Sequence, residues 1–325
     1  MQVLVTGAAG MVGRKLVQRL ASQGSIGNRA ITRLTLHDII EPPVPTEAPF
    51  SVGTAVSDLS VPGEADKLVA HGPEVIFHLA AIVSGEAEAD FPKGYRVNLD
   101  GTRQVFEAVR ERSHAPRLVF MSSIAAFGAP FPDTIDDDFL LAPLTSYGTQ
   151  KAIGELLLSD YSRRGFFDGI GIRLPTIVVR PGAPNRAASG FFSGIIREPL
   201  NGQEAVLPVS DEVMHWLASP RAAVGFLIHA AGLDTARLGA RRNLTMPGVA
   251  ITVGGQLEAL RKVAGDRVVE RVRREPDPTI QRIVEGWPRR FDARRARELG
   301  FAADQSFEEI IRIHIEDELG GQFVS

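Results

Sequence analysis

Residues 2–13 read QVLVTGAAGMVG, and the fold turns on how this stretch must lie. Val3 to Thr6 form a short apolar, β-branched run, the mark of a strand buried on both faces. Gly7, Gly10 and Gly13 come next, and GRKLVQRLASQ then carries apolar residues at helical spacing. In a strand–turn–helix of this kind the first glycine permits the tight turn. The second lets the backbone approach a pyrophosphate, and the third lets helix and strand pack closely. The helix start, with Met11 and Val12, offers unpaired N–H groups and a positive dipole end to phosphates.

Working outward, the next strand, RLTLHD, ends on Asp38. The linker ASQGSIGNRAIT delays that acid without removing it. A carboxylate there accepts hydrogen bonds from ribose hydroxyls and repels a 2′-phosphate. Ile39 and Ile40 supply no cation to reverse the preference, so NAD is expected rather than NADP. Asp58, in VSDLS after a short strand, suits either an adenine contact or a helix N-cap. Further runs alternate in the same way: EVIFHLAA, RLVFMSS and GIGIRLPTIVV read as strands, RVNLDGTRQVFEAVRER and SYGTQKAIGELLLSDYSRRG as helices. The expected fold is α/β, a Rossmann-type doubly wound parallel sheet with a smaller, mostly C-terminal lobe. We expect a NAD-binding domain over residues 1–180, rejoined by about 216–240, and a substrate-binding lobe over most of 181–325. In that lobe SPRAAVGFLIHAAG, VGGQLEALRKVAG and SFEEIIRIHIEDEL read as helices and RRNLTMPG as a strand, while residues 182–215 carry few strong periods.

Composition narrows the function classes. The chain has 325 residues, 44% apolar and 23% charged, with a formal net charge of -3, so neither disorder nor a nucleic-acid or anionic-membrane surface is indicated. It has no cysteine, which leaves no disulfide or thiolate metal site and favours the cytoplasm. The N-terminus lacks the layout of a signal peptide, and no stretch reaches the about 18 apolar residues of a membrane span. No His, Asp and Glu spacing suggests a metal, and IDDD at 135–138 reads as a solvated loop.

SYGTQKAIGELLLSDYS, residues 146–162, sets Tyr147 four positions ahead of Lys151. Such a pair is ordinary on any helix surface. It is also what a protein needs to ease the removal of a phenolic proton. A free phenol titrates near 10, too high for an efficient base, and an ammonium one turn away favours the phenolate.

The glycine loop, HLAA at 78–81, NLDGT at 98–102, Ser122–Ser123, and Tyr147 with Lys151 occur in this order. Together they resemble the extended short-chain dehydrogenase/reductase superfamily, which includes nucleotide-sugar epimerases. HLAAIVSGEAEADF, RLPTIVVRPGAPNRAASGF and IIREPLNGQEAVLPV are similar to its D-erythronate dehydrogenase branch. The resemblance implies oxidation of a small sugar acid at C2 to the 2-keto acid, with NAD as acceptor. It makes Ser123, Tyr147 and Lys151 the catalytic residues: Ser123 holds the substrate oxygen, Tyr147 removes its proton, and Lys151 tunes the phenol and reaches the nicotinamide ribose. It adds Leu79, Ala80, Ala81, Asn98, Ser122 and Pro175 to the cofactor contacts. Asn98 suits either a helix cap or a structural post behind the site. Phe127 stands where many relatives carry tyrosine.

A sugar acid brings a carboxylate and hydroxyls. Arg180, Arg186 and Arg221 are the candidates for the carboxylate; Ser84, Thr176, Asn185 and His215 are candidates for the hydroxyls. Each arginine equally suits a surface ion pair, and His215 a structural place. A nucleotide-sugar epimerase or dehydratase that retains NAD, or a dinucleotide sensor without catalysis, are the competing functions. The superfamily also implies a homodimer, formed through the Tyr147 helix and the NLDGT helix.

Overall fold

The computed structural model describes residues 1–182 and 189–325. The principal strands, in chain order, are β1 (Gln2–Thr6), β2 (Arg33–Asp38), β3 (Ser51–Val56), β4 (Val75–His78), β5 (Arg117–Ser123), β6 (Asp168–Leu174), β7 (Thr176–Ile177), β8 (Met214–Ala218), β9 (Asn243–Thr245) and β10 (Val249–Thr252). The principal helices are α1 (Met11–Gln23), α2 (Gly101–Arg112), α3 (Ser146–Arg163), α4 (Gly190–Leu200), α5 (Pro220–Gly232), α6 (Val253–Ala264) and α7 (Phe307–Leu319). None of the described helices is long and apolar enough to cross a membrane.

The chain divides into two compact units. The first comprises residues 1–126, 143–174 and 224–245. Its centre is a parallel sheet of seven strands in the order β9-β6-β5-β4-β1-β2-β3. The direction of winding reverses beside β1, the place where open α/β sheets bind ligands at the carboxyl ends of their strands. Val3, Leu4 and Val5 are essentially without solvent contact, as a strand covered on both faces requires. Leu4, Ile76, Phe106, Leu118, Phe120 and Phe167 share one apolar cluster.

The second unit comprises residues 127–142, 175–223 and 246–325. A three-stranded sheet, β10-β8-β7, has β8 antiparallel to β10 and parallel to β7. Its core draws Phe192 and Ile195 from α4, Leu257 and Leu260 from α6, and Phe307 and Ile311 from α7.

Several features depart from the sequence reading. GIGIRLPTIVV is two strands: Pro175 has no N–H to give a ladder, so β6 stops at Leu174 and β7 pairs with β8 instead. RRNLTMPG supplies β9, which joins the large parallel sheet beside β6 rather than the smaller lobe. Helix α4 lies in a stretch whose Gly and Pro content hid its period, although Phe192, Ile195, Ile196 and Leu200 are buried at helical spacing. Residues 127–142, within the expected first domain, group with the second unit, and the returning segment is 224–245.

One buried ion pair braces the first unit. Arg173 on β6 donates to both carboxylate oxygens of Glu155 on α3, at 2.6 to 3.0 Å. Ser122 adds a hydrogen bond to the same carboxylate at 2.6 Å. With both side chains out of water, removal of one partner strands the other's charge. Arg173→Met is therefore expected to lose about 3–5 kcal/mol, read as a large fall in the denaturation midpoint. A change within noise would mean that Glu155 is hydrated or neutral.

Candidate active site

Gly7 adopts φ +76°, a conformation that favours glycine. A Cβ here would stand 2.7 Å from the Ala80 nitrogen and 2.8 Å from the Leu79 carbonyl carbon. The loop after β1 thus lies directly against the exit of β4. A Cβ on Gly13 would fall 2.1 Å from the Gly7 oxygen, so α1 starts packed on the turn. Gly10 is the exposed N-cap of α1, with no side-chain cap and no acid in the first turn. The helix start keeps its open N–H groups and carries no competing negative charge, which suits a pyrophosphate. Met11 and Val12 are half-buried at this terminus.

Asp38 closes the same corner. Its carboxylate accepts from Ala9 N at 2.8 Å and from Ile39 N at 2.7 Å, so the acid ending β2 is tied to the glycine loop. Ile39 and Ile40 are both 62% exposed, and neither brings a cation. Loop, helix start and acid together fit NAD. Asp58 does not cap a helix. It accepts from the Ser60 N–H and hydroxyl at 2.9 and 2.7 Å, and the helix that follows is capped by Gly63. The Ser60 hydroxyl holds the Asp58 carboxyl below its usual range.

On β5, successive side chains point to opposite faces, and the two serines separate accordingly. Ser122 is buried and donates to Glu155 at 2.6 Å. Ser123 is half-buried and accepts from Ala125 N at 3.1 Å, and its hydroxyl stands near enough to the Tyr147 phenol to favour the phenolate. Thr145 caps α3 by accepting from Gly148 N at 3.1 Å. A Cβ on Gly148 would stand 2.1 Å from the Ala125 oxygen, so only glycine lets the first turn of α3 come this close. Lys151 donates to the Met121 oxygen at 2.8 Å. Its ammonium lies 5.6 Å from the centre of the Tyr147 ring and 5.0 Å from that of Phe120. The structure therefore brings Ser123, Tyr147 and Lys151 together at the carboxyl end of the parallel sheet.

Their electrostatics differ from the sequence expectation. Burial pushes the Tyr147 phenol up to about 12, with the Ser123 hydroxyl opposing. Burial also pushes Lys151 down to about 8, with Glu155 opposing. In the cofactor-free protein lysine thus gives up its proton before tyrosine does, and proximity of the ammonium alone does not ease the phenol. Desolvation penalises both charged forms.

Behind this trio runs a chain of hydrogen bonds that sequence reasoning missed. Thr102 donates to the Asn98 oxygen at 2.7 Å. It must therefore accept from His78 Nε2 at 3.0 Å, leaving Nδ1 to accept from Thr6 at 2.8 Å. His78 stays neutral, pushed down to about 3 by burial and then by Lys151. Asn98 is no helix cap. It sits within a π-helical turn, Tyr95–Asp100. Its side-chain oxygen accepts from Ile82 N at 2.8 Å, and its amide donates to the Ile82 oxygen and Gln150 Oε1. Leu79, Ala80 and Ala81 occupy the loop just past β4, with Leu79 buried. Ser84 is exposed at the start of a short helix, Ser84–Ala89. The only sequence signal for this chain was the polar run of threonine, histidine and asparagine within otherwise apolar elements.

In the second unit, Pro175 is buried and Thr176 half-buried. Thr176 meets His215 Nε2 at 2.7 Å, and His215 Nδ1 meets the Pro288 oxygen at 2.8 Å. The ring of His215 is thus fully engaged and cannot itself read a hydroxyl. Arg180 is half-buried and bonds Ser189 at 3.3 Å; burial, then Arg197, hold it below its usual value. No carboxylate pairs with it among the described residues. Arg221, by contrast, is committed to Asp317 at 2.5 Å and Glu316 at 2.9 Å on α7, which removes it from the carboxylate candidates. Asn185 and Arg186 lie outside the described residues.

Residues 3–220 match the NAD dependent epimerase/dehydratase family. Over 98% of this chain and 98% of its own length, D-erythronate dehydrogenase of Cupriavidus necator is 50% identical. The D-erythronate dehydrogenase of Haemophilus influenzae is 42% identical, covering 97% of this chain and 99% of that protein. A crystal structure described as the nucleoside-diphosphate-sugar epimerase of Agrobacterium tumefaciens has a TM-score of 0.98 and 63% identity, covering 99% of this chain and 95% of that one. On that kinship and the fold that goes with it, this chain belongs to the NAD-dependent epimerase/dehydratase family, the extended short-chain dehydrogenase/reductases, and is an oxidoreductase that works with NAD.

Proposed function

We propose that the protein oxidises a small sugar acid, D-erythronate foremost, at its C2 hydroxyl to give the 2-keto acid. The observation that carries this reading is the grouping of Ser123, Tyr147 and Lys151 at the carboxyl end of the sheet that also bears the glycine loop. Nearly full-length likeness to two D-erythronate dehydrogenases supports the substrate class. When bound, NAD supplies the hydride acceptor and brings a positive charge of its own. Tyr147 takes the hydroxyl proton, while Ser123 donates a hydrogen bond to the same substrate oxygen as negative charge grows on it. Lys151, held by the Met121 oxygen, keeps a donor and, when protonated, a positive charge near the phenol. Asp38 would accept from the ribose hydroxyls of the cofactor, and the start of α1 would receive its pyrophosphate.

Of the arginines weighed for the substrate carboxylate, Arg180 is the one we assign. It is partly desolvated and lacks an acidic partner among the described residues, so a carboxylate ligand would meet a guanidinium not already neutralised. A second reading, nucleotide-sugar epimerisation, is favoured by the description of the Agrobacterium structure. The two differ in product: a dehydrogenase releases NADH at each turnover, whereas an epimerase returns the hydride.

The deciding experiment is NADH formation from a panel of four- to six-carbon aldonates. Stoichiometric NADH from D-erythronate is expected; its absence alongside interconversion of a nucleotide sugar would reverse the assignment. Tyr147→Phe should cut turnover by about 10²–10⁴-fold and leave NAD affinity nearly unchanged. Arg180→Leu should raise KM for the aldonate far more than it lowers kcat, and an unchanged KM would remove Arg180 from the site.

A pH prediction follows from the buried lysine. Its proton is harder to keep in the folded state, so folding is penalised below about 8 and the penalty fades as pH rises toward 10.5. Lys151→Met is expected to raise the melting temperature of the cofactor-free protein at pH 7, with the gain shrinking between those two values. A variant less stable than the parent at pH 7 and unchanged with pH would contradict this burial cost.

A further inference from the structure

The proton on the Thr176 hydroxyl has one place to go. The Pro288 oxygen can only accept, so His215 Nδ1, 2.8 Å away, carries a hydrogen and donates it. The ring does not hold a second proton, because burial pushes its pKa down to about 4. Nε2 is therefore a bare lone pair, and it faces Thr176 Oγ1 at 2.7 Å. Thr176 must donate to it. The imidazole plane is held by Phe192, stacked at 5.2 Å and 10°, and by Trp287 at 5.3 Å. Thr176 Oγ1 is left with lone pairs and no proton to give, while its side chain is only half-buried. It lies on the same segment of the second unit as Arg180.

We infer that His215 is a positioning residue that holds Thr176 as an obligate hydrogen-bond acceptor, so that this subsite takes a hydroxyl donor of the substrate and turns away a carboxylate or carbonyl oxygen. The inference rests on the proposed aldonate oxidation. It deepens that reading by giving the second unit two recognition groups of opposite polarity four residues apart. Arg180 is a donor that seeks an anion, and Thr176 an acceptor that seeks O–H. A 2-hydroxy acid without a further hydroxyl leaves Thr176 unpaired, and a polar group built for a partner discriminates strongly against the analogue lacking it.

The test pairs enzyme variants with substrate analogues. D-Erythronate is compared with 2,4-dihydroxybutanoate and 2,3-dihydroxybutanoate, which lack the C3 and C4 hydroxyl respectively. Thr176→Val is expected to lower kcat/KM on D-erythronate by about 10- to 100-fold. It should change the rate on one of the two deoxy acids less than about twofold, and Thr176→Ser should restore the parent pattern. His215→Phe keeps the stack but frees the threonine proton, and should narrow the preference for the hydroxylated acid. Equal losses on all three substrates would mark both residues as structural and overturn the inference. Independently of turnover, ¹⁵N spectra of His215 should place its single proton on Nδ1; a proton on Nε2 would overturn the inference even in an active aldonate dehydrogenase. Failure of the parent to form NADH from any aldonate would instead sink the proposed activity, and the tautomer would then decide the inference alone.

Discussion

Helix α3 lies against strand β5 and the turn that follows it through four successive contacts, and the rest of the first unit is arranged around that seam. Tyr147 stands near Ser123, Gly148 sits against the Ala125 oxygen, Lys151 reaches the Met121 oxygen, and Glu155 receives Ser122. Their spacing of one, three and four residues keeps them on one side of a 3.6-residue helix. Because β5 runs through the middle of the sheet, its position is set by β4 and β6 on either side. A phenol fixed to such a frame has little freedom to stray, which is the preorganisation that proton transfer rewards.

The seam also sets an electrostatic problem. It brings a phenol and an ammonium out of water, and each becomes harder to ionise there. His78 stands in the same region as a neutral ring, chiefly because it is buried and then because Lys151 lies near it. In the free protein the phenol is held protonated well above neutrality, while Lys151 keeps its charge less firmly than an exposed lysine.

Much of the fold was legible from sequence because its signals are local. QVLVTG, RLTLHD, EVIFHLAA and RLVFMSS are buried strands by composition alone, and Gly7, Gly10 and Gly13 fix the turn between β1 and α1. Tyr147, Lys151 and Ser123 were legible as a set only through their order along the chain, since an i,i+4 pair says little by itself. The misses were matters of partnership across long separations. Nothing near Ser122 announces Glu155, and nothing near His215 announces the Pro288 oxygen. Asn98 had the look of a cap because its neighbours begin a helix, yet the helix is already running there and the side chain turns inward to Ile82. The period of α4 was masked by Gly190, Gly194 and Pro199, and β9 was too short to declare which sheet it would join.

The division of the chain into two units has a bearing on how such a protein can change. The backbone passes from one unit to the other at five points, after residues 126, 142, 174, 223 and 245. Neither unit is a continuous stretch, and β9, the outermost strand next to β6, comes from nearly three-quarters of the way along the sequence. A lobe laced in this manner cannot be swapped as a cassette, nor can either half be produced by cutting the gene once. Change must instead come by replacement of individual side chains, which leaves the threading of the chain untouched.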